Sequence, residues 1–332
     1  MQGENLTCKV CGITSENKVY AVREMMFGLQ DEFIYFECGN CGCLQIKDIP
    51  ADLSKYYPPE YYSFKNPAYL TGAMSDSYLK SYLRRKRTFY AMYNKGMLGR
   101  LLLALYPISN ALAESLEWLK KCNASFDSKI LDVGCGKGRL LLELSRCGFS
   151  DLTGVDPYLD SDIVYKNKVR VLRKELSEIE DTYHVIMFHH SLEHMRDPGG
   201  VFRDIARLLY DEGGHAVIRT PTVSSFAWRH YGQDWVQIDA PRHFFLHSLK
   251  SIEILAKRNG LKIKEIIFDS TEFQFWGSQQ YKRGIALFDH KAYCVRPADI
   301  ISSQDMRLFK LKALALNREK AGDQVCVYLA KN

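Results

Sequence analysis

Short, mostly apolar runs recur through the second half of the chain: Ile130 to Val133, Leu152 to Val155, Val169 to Leu172, Tyr183 to Phe188, His215 to Arg219 and Leu261 to Asp269. Between them lie stretches of helical spacing: Arg139 to Cys147, Pro198 to Tyr210 with Val201, Ile205, Leu208 and Leu209 on one face, and Ser248 to Asn259. Strand-length runs alternating with helices predict an α/β chain with a mostly parallel sheet. Val325, Val327 and Leu329 alternate within Asp323 to Ala330, which predicts a last, antiparallel strand. The stretch Ser270 to Gly322 is longer than a hairpin connection needs. It reads as an insertion on the substrate side or as an oligomer contact.

The first half is patterned differently. Phe33 to Phe36 reads as one strand of a hairpin. From Pro50 to Tyr69, prolines and tyrosines centred on Tyr56-Tyr57-Pro58-Pro59-Glu60-Tyr61-Tyr62 bar a regular helix and predict an ordered arm. Ser75 to Lys95 and Met97 to Lys121 read as two helices, the second carrying Leu98, Leu101, Leu102, Leu105, Leu112, Leu116 and Leu119. Arg84 to Arg87 is read as a solvated basic face of the first. Three segments follow: residues 1–50, an arm with a helical cover over 51–122, and a main domain over 123–332 that contains the 270–322 insertion.

A length of 332 residues, 46% hydrophobic and 25% charged, permits a main core with a smaller attached module. The net charge of +6 suits an anionic small molecule and falls short of the basic density of a nucleic-acid-binding domain. Met1 to Asn5 carries no basic region followed by an apolar run, and the longest apolar run, Leu101 to Tyr106, stops at Pro107. Cytoplasmic residence without a membrane span is the expectation.

Five of the ten cysteines crowd into the first 43 residues, which is the arithmetic of a metal site and not of a disulfide scaffold. Cys8-Lys9-Val10-Cys11 and Cys38-Gly39-Asn40-Cys41 are two C-x-x-C knuckles, each followed by glycine. Each offers two thiolates on a tight turn, and together they predict a zinc ribbon with Cys8, Cys11, Cys38 and Cys41 as ligands. Four sulfur ligands leave such an ion no open position, so its role is structural. Cys43 is a spare thiol expected to pack.

The strand Ile130 to Val133 runs straight into Gly134-Cys135-Gly136-Lys137-Gly138 and then a helix, so the backbone passes beneath a ligand where a Cβ would collide. The spacing is G-x-G-x-G, and Asp132 sits at the strand end. A carboxylate there repels a pyrophosphate and attracts the ammonium and sulfonium of S-adenosylmethionine. The next strand ends in Asp156-Pro157, where an acid can take both hydroxyls of a ribose. After the third strand comes Glu175-Leu176, whose carboxylate can accept from an adenine amino group. The fourth runs into His189-His190-Ser191-Leu192-Glu193-His194.

These motifs in this order, LDVGCGKG, GVDP and HHSLEHMRDP, resemble the class I S-adenosylmethionine-dependent methyltransferases over roughly residues 128 to 270. The resemblance implies a Rossmann-like, seven-stranded, mostly parallel sheet with the cofactor across the carboxyl ends of the first strands. It implies that Gly134 and Gly136, flanking Cys135, approach the methionine part, that Asp156 and Pro157 hold the ribose, and that Glu175 and Leu176 frame the adenine, with His189 at the end of the fourth strand. A zinc ribbon followed by a tyrosine-proline arm is also similar to enzymes that modify sugars in bacterial surface-glycan and antibiotic pathways. That likeness points to a sugar or nucleotide-sugar acceptor, methylated on oxygen more readily than on carbon.

Methyl transfer to a hydroxyl needs aligned reactants and a base, and histidine suits the second task near neutral pH. His190 or His243 is the expected base, with Glu193 beside them. Arg242 is expected to orient a phosphate or carboxylate, and Tyr231 and Asp239 to meet substrate hydroxyls. His190 to His194 also fits the H-x-x-E-H pattern of one zinc-peptidase class, but it begins at a strand end and not within a helix, so no metal is expected there. His194 and Glu193 can equally cap and pack the following helix. Methylation of RNA or protein, with the zinc module as a docking piece, and cofactor binding without turnover remain as alternatives.

Overall fold

The computed structural model describes residues 3–58, 77–297 and 301–332. Residues 59–76, the greater part of the expected tyrosine-proline arm, lie outside them. The chain gathers into two compact units: the first comprises Met1–Pro58, His190–Phe202 and Ile218–Val327, the second Pro59–His189, Arg203–Val217 and Tyr328–Asn332.

Strands β1 (Gly3–Thr7), β2 (Thr14–Arg23), β3 (Glu32–Glu37) and β4 (Leu44–Ile46) come first. They are followed by β5 (Lys129–Val133), β6 (Asp151–Val155), β7 (Ile163–Val164), β8 (Arg170–Leu172), β9 (Val185–His189) and β10 (His215–Pro221). The chain closes with β11 (Phe245–Leu246), β12 (Leu261–Phe268) and β13 (Gln324–Lys331). The first sheet runs β1-β2-β3-β4-β11, antiparallel, with Phe245 opposite Gln45 and Leu246 opposite Leu44. This sheet is therefore completed by a strand from the second half of the chain, which no local pattern announces.

The second sheet runs β12-β13-β10-β9-β5-β6-β8-β7, a Rossmann-like, mostly parallel arrangement. β5 pairs in parallel with β6 and β9, and β6 in parallel with β8. Chain order reverses between β5 and β9, so the carboxyl ends of those two strands flank the switch point where α/β folds place ligands. The sheet has eight strands where seven were expected: β7, two residues long, pairs antiparallel with β8. Two residues are too few to carry a periodic signal.

Among the described residues the helices are α1 (Tyr78–Tyr93), α2 (Met97–Leu105), α3 (Asn110–Lys121), α4 (Arg139–Cys147), α5 (Pro198–Leu208), α6 (Phe226–Tyr231), α7 (Leu249–Arg258), α8 (Phe273–Lys282) and α9 (Ser303–Arg318). The single helix expected over Met97 to Lys121 is two, α2 and α3. Pro107 supplies no N–H and disfavours helical backbone at the residue before it, and the chain restarts after Ser109. Only then does the leucine stripe turn inward, with Leu116, Trp118 and Leu119 buried on α3 while Leu101 and Leu105 of α2 stay exposed. The expected insertion holds α8 and α9, which bury Phe275 against Ala313 and Leu316 in the first unit.

Candidate active site

All nine residues expected around the cofactor lie in the second unit. Beyond Val133 the backbone turns left-handed at Gly134 (φ 75), Gly136 (φ 52) and Gly138 (φ 74) before entering α4. The N–H groups of Gly134 and Cys135 donate to the Val155 carbonyl at 2.8 and 3.3 Å, which ties the loop to the end of β6. Gly136 N–H and Tyr158 N–H donate to the two oxygens of Asp156 at 2.9 and 3.0 Å. The glycine loop thus fixes the acid at the next strand end, whose remaining lone pairs are left for hydroxyl donors.

Asp132 is 4% exposed, and its carboxylate accepts no hydrogen bond among the described residues. Burial first, then the nearby charge of Asp156, raise its pKa to about 7. Among the described residues no cation offsets the charge of Asp132 beside Asp156, and the pair is an electrostatic deficit. A ligand bearing an ammonium and a sulfonium relieves it, whereas a pyrophosphate deepens it, so the cradle fits S-adenosylmethionine.

The other members of the set are less constrained. Leu176 is buried, Pro157 and Cys135 are half-buried, and the Cys135 thiol donates to the Gly136 carbonyl. Glu175 is exposed at the mouth of a short turn, where its N–H donates to the Glu178 carboxylate at 2.7 Å. Partial burial, then Glu178 and Asp156, raise its pKa. His189 is exposed, its ring 5.2 Å from that of Trp118.

Gly154, to which sequence reasoning gave no role, shapes the loop together with Gly138. A Cβ at Gly154 would meet Cys135 Sγ at 2.4 Å, and one at Gly138 would meet Val171 Cγ2 at 2.6 Å. An isolated glycine inside the apolar run Leu152 to Val155 was the available signal.

The first unit holds a second constellation. Glu193 is fully buried; its carboxylate accepts from Thr220 Oγ1 at 2.9 Å and lies 3.3 Å from His190 Nδ1. Burial alone would raise its pKa, but the hydrogen bond from His190 and the charges of His190, His243 and His194 outweigh that and hold it well below the usual carboxylate range. His190 itself is a non-glycine residue at φ 53, a backbone region usually retained where surrounding structure enforces it. Its Nε2 lies 3.3 Å from Arg219, which is paired with Asp269 at 2.6 Å.

His194 Nδ1 lies 2.8 Å from the Arg242 carbonyl, and His243 Nδ1 lies 2.7 Å from the Gln237 carbonyl. A carbonyl only accepts, so each imidazole carries a proton on Nδ1, and in the neutral ring the lone pair is on Nε2. The rings meet edge to face with centroids 4.7 Å apart. Burial, then the charge of His243, lowers the pKa of His194 to about 4.

Two expected substrate contacts, Arg242 and Asp239, are engaged within the protein. Arg242 is 0% exposed: its guanidinium pairs with Asp239 at 2.6 and 3.0 Å and with Glu24 at 2.9 Å, and donates to the Tyr56 carbonyl. It is a buried structural cation and not an anchor for an anionic substrate. Asp239 is correspondingly spent on Arg242, with His243 Nε2 at 3.8 Å. Tyr231 packs against the cluster of Phe275, Ala313 and Leu316. Glu24, also fully buried, went unread: it takes N–H bonds from Met26, Phe27 and Leu29 in addition to Arg242, and nothing in its local sequence marks it.

The four knuckle cysteines converge in the first unit. Cys8 Sγ lies 3.6 Å from Cys41 Sγ and Cys11 Sγ 3.6 Å from Cys38 Sγ, and all four sulfurs lie within 4.8 Å of one another. Those separations are too long for disulfides and close to the ~3.8 Å that tetrahedral zinc–sulfur bonds impose, so the donor set fits zinc. Cys43 is fully buried outside the set, its thiol directed at the Leu44 carbonyl. Arg258 at the end of α7 donates to the Val10 and Cys11 carbonyls, and Ser248 before its start donates to the Cys41 carbonyl, so both knuckles are tied to that helix.

Residues 84–266 match a family model described as a methyltransferase domain. The chain is similar to the ubiquinone biosynthesis O-methyltransferase of Aeromonas salmonicida, 31% identical over 32% of this chain and 48% of that protein. It is also similar to the protein of the same name from Bordetella avium, 28% identical over 42% of this chain and 64% of that protein. The chain thus spans between about half and just under two thirds of the length of these relatives. Among solved structures, the cyclopropane synthase MmaA2 of Mycobacterium tuberculosis is similar at 13% identity, covering 68% of this chain and 87% of that one with a TM-score of 0.42. Among the described residues, no helix is long and apolar enough to cross a membrane.

Proposed function

The chain belongs to the methyltransferase family, and from that premise we propose that it moves a methyl group from S-adenosylmethionine to a hydroxyl of a sugar or nucleotide-sugar. When bound, the cofactor supplies an electrophilic methyl on a positively charged sulfur. The observation that carries the reading is Asp132, a buried carboxylate without a hydrogen-bond donor at the lip of the glycine loop. In this reading Asp132 meets the cofactor's positive charges, Gly134 and Gly136 lie against its amino-acid part, Asp156 takes the ribose hydroxyls, and Glu175 and Leu176 frame the adenine.

A sugar hydroxyl is too weak an acid to ionise near neutral pH, so a positioned group must help its proton leave. In this reading His243 takes that role: its Nδ1–H is held by the Gln237 carbonyl, which leaves Nε2 as the basic atom of the neutral ring. His190 has Glu193 beside one nitrogen and Arg219 beside the other, so it and Glu193 act as positioning residues. The oxygen acceptor is in keeping with the names of the curated relatives, and the +6 charge with an anionic acceptor. The four cysteines hold a structural zinc in this reading.

The test is transfer of a labelled methyl group to a panel of nucleotide-sugars, free glycosides, quinols, RNA and protein. The expectation is turnover on a sugar hydroxyl, cut ~100-fold or more in His243→Ala with affinity for S-adenosylhomocysteine unchanged. Unchanged turnover in both His243→Ala and His190→Ala removes the assignment, and transfer confined to RNA, protein or quinols removes the acceptor class.

A further inference from the structure

We propose a second metal site in the first unit, separate from the four cysteines, in which Glu193, His194 and His243 bind a divalent transition-metal ion, zinc by the ligand set. One ligating atom from each of the three lies within 4.8 Å of the other two. Both imidazoles are oriented as metal-binding histidines are, with Nδ1–H held by a backbone carbonyl and the lone pair of Nε2 left over. Among the described residues no hydrogen bond engages either Nε2; the nearest charged group to that of His243 is Asp239 Oδ2 at 3.8 Å, itself held by Arg242. The third ligand is a fully buried carboxylate whose outer contacts, Thr220 Oγ1 and His190 Nδ1, orient it as second-layer donors orient a ligating acid.

The frame beneath the three groups is stiff. Phe244 N–H donates to the Glu193 carbonyl at 2.7 Å and Tyr35 Oη to the His243 carbonyl at 2.8 Å, which locks the 190–194 turn and the 239–243 turn to one scaffold. Zinc bonds of about 2.0–2.1 Å place tetrahedral ligands about 3.3 Å apart, so from separations within 4.8 Å loading needs the trio to close by at most about 1.5 Å, within reach of side-chain rotation. Two imidazoles and one carboxylate are the ligand set of zinc centres that keep an open position. An oxygen ligand can fill it. The H-x-x-E-H reading of the sequence was set aside because His190 to His194 lies at a strand end and in a 3-10 turn. The site proposed here uses only the second half of that motif and recruits His243 in place of His190.

The proposal shares His243 with the reading above but does not need it. With an ion bound, Nε2 of His243 is committed to the metal; without one, it is the base. Metal content therefore separates the two, and the methyltransferase reading stands or falls on its own assay.

The test is cobalt(II) titration of the metal-stripped full chain, with X-ray absorption on the loaded protein. The expected result is visible d–d bands without thiolate charge transfer for one equivalent, beside any thiolate-bound equivalent, with imidazole scattering at the first. His194→Ala and His243→Ala should each lose that equivalent and keep the thiolate band, which reports that the ribbon still folds. A wild-type protein with only a thiolate-bound ion, or with none, overturns the proposal whatever the variants do. So does full retention of the imidazole-bound equivalent in both variants.

Discussion

Asp132 is the residue whose energetics and role are most tightly joined. Its folded pKa of about 7 lies above the ordinary aspartate value of 3.8, so between those values the folded chain holds a proton that the unfolded chain has released. Stability therefore falls as pH rises from about 4 to 7, by about 4 kcal/mol. Asp132→Asn removes that cost. Thermal unfolding should show the variant more stable than wild type at pH 8 without cofactor and indistinguishable at pH 4; an unchanged or lowered midpoint at pH 8 contradicts the account. A stabilising substitution that costs function is expected where a charge is kept for a ligand. Asp132 was legible in sequence because a strand-end acid beside a glycine turn is local chemistry. Arg242 was misread for the opposite reason: its partner Glu24 stands on a segment far away in the chain, and no short-range pattern separates an arginine that faces solvent from one that neutralises two buried acids.

The glycine loop and α4 act as one element. α4 begins at Gly138, left-handed at φ 74, and ends at Gly148, φ 109, with Leu141, Leu142 and Leu144 buried between. Gly138→Ala brings a left-handed backbone penalty of ~1–2 kcal/mol and an overlap with Val171 Cγ2 at 2.6 Å that something must relieve. A urea midpoint should fall by the equivalent of at least ~2 kcal/mol, and a loss under ~0.5 kcal/mol would show that the loop yields freely. Strand and helix positions in this region followed from periodicity to within a residue or two. The exceptions have physical causes: Pro107 divides α2 from α3, β7 is too short to show a period, and β11 belongs to the five-stranded sheet through a pairing that spans most of the chain.

At the scale of the whole molecule, chemistry is partitioned by unit: the cofactor set falls in the second, and the histidine–carboxylate cluster and four cysteines fall in the first. Sequence order shows nothing of this, because the first unit is assembled from three separated segments and convergence of His194 with His243 is a property of the fold. What sequence did carry is the order of strand-end motifs along β5, β6, β8 and β9, since each is a local pairing of an apolar run with the polar residue that ends it. The central claim, that the glycine loop and its acids select a positively charged sulfur cofactor over a pyrophosphate, is tested most directly by calorimetric titration of the full chain at pH 8. S-adenosylmethionine and S-adenosylhomocysteine should each bind at one site, while NAD and FAD give no heat. Saturable binding of a nicotinamide or flavin dinucleotide, with none of either adenosyl compound, would contradict it.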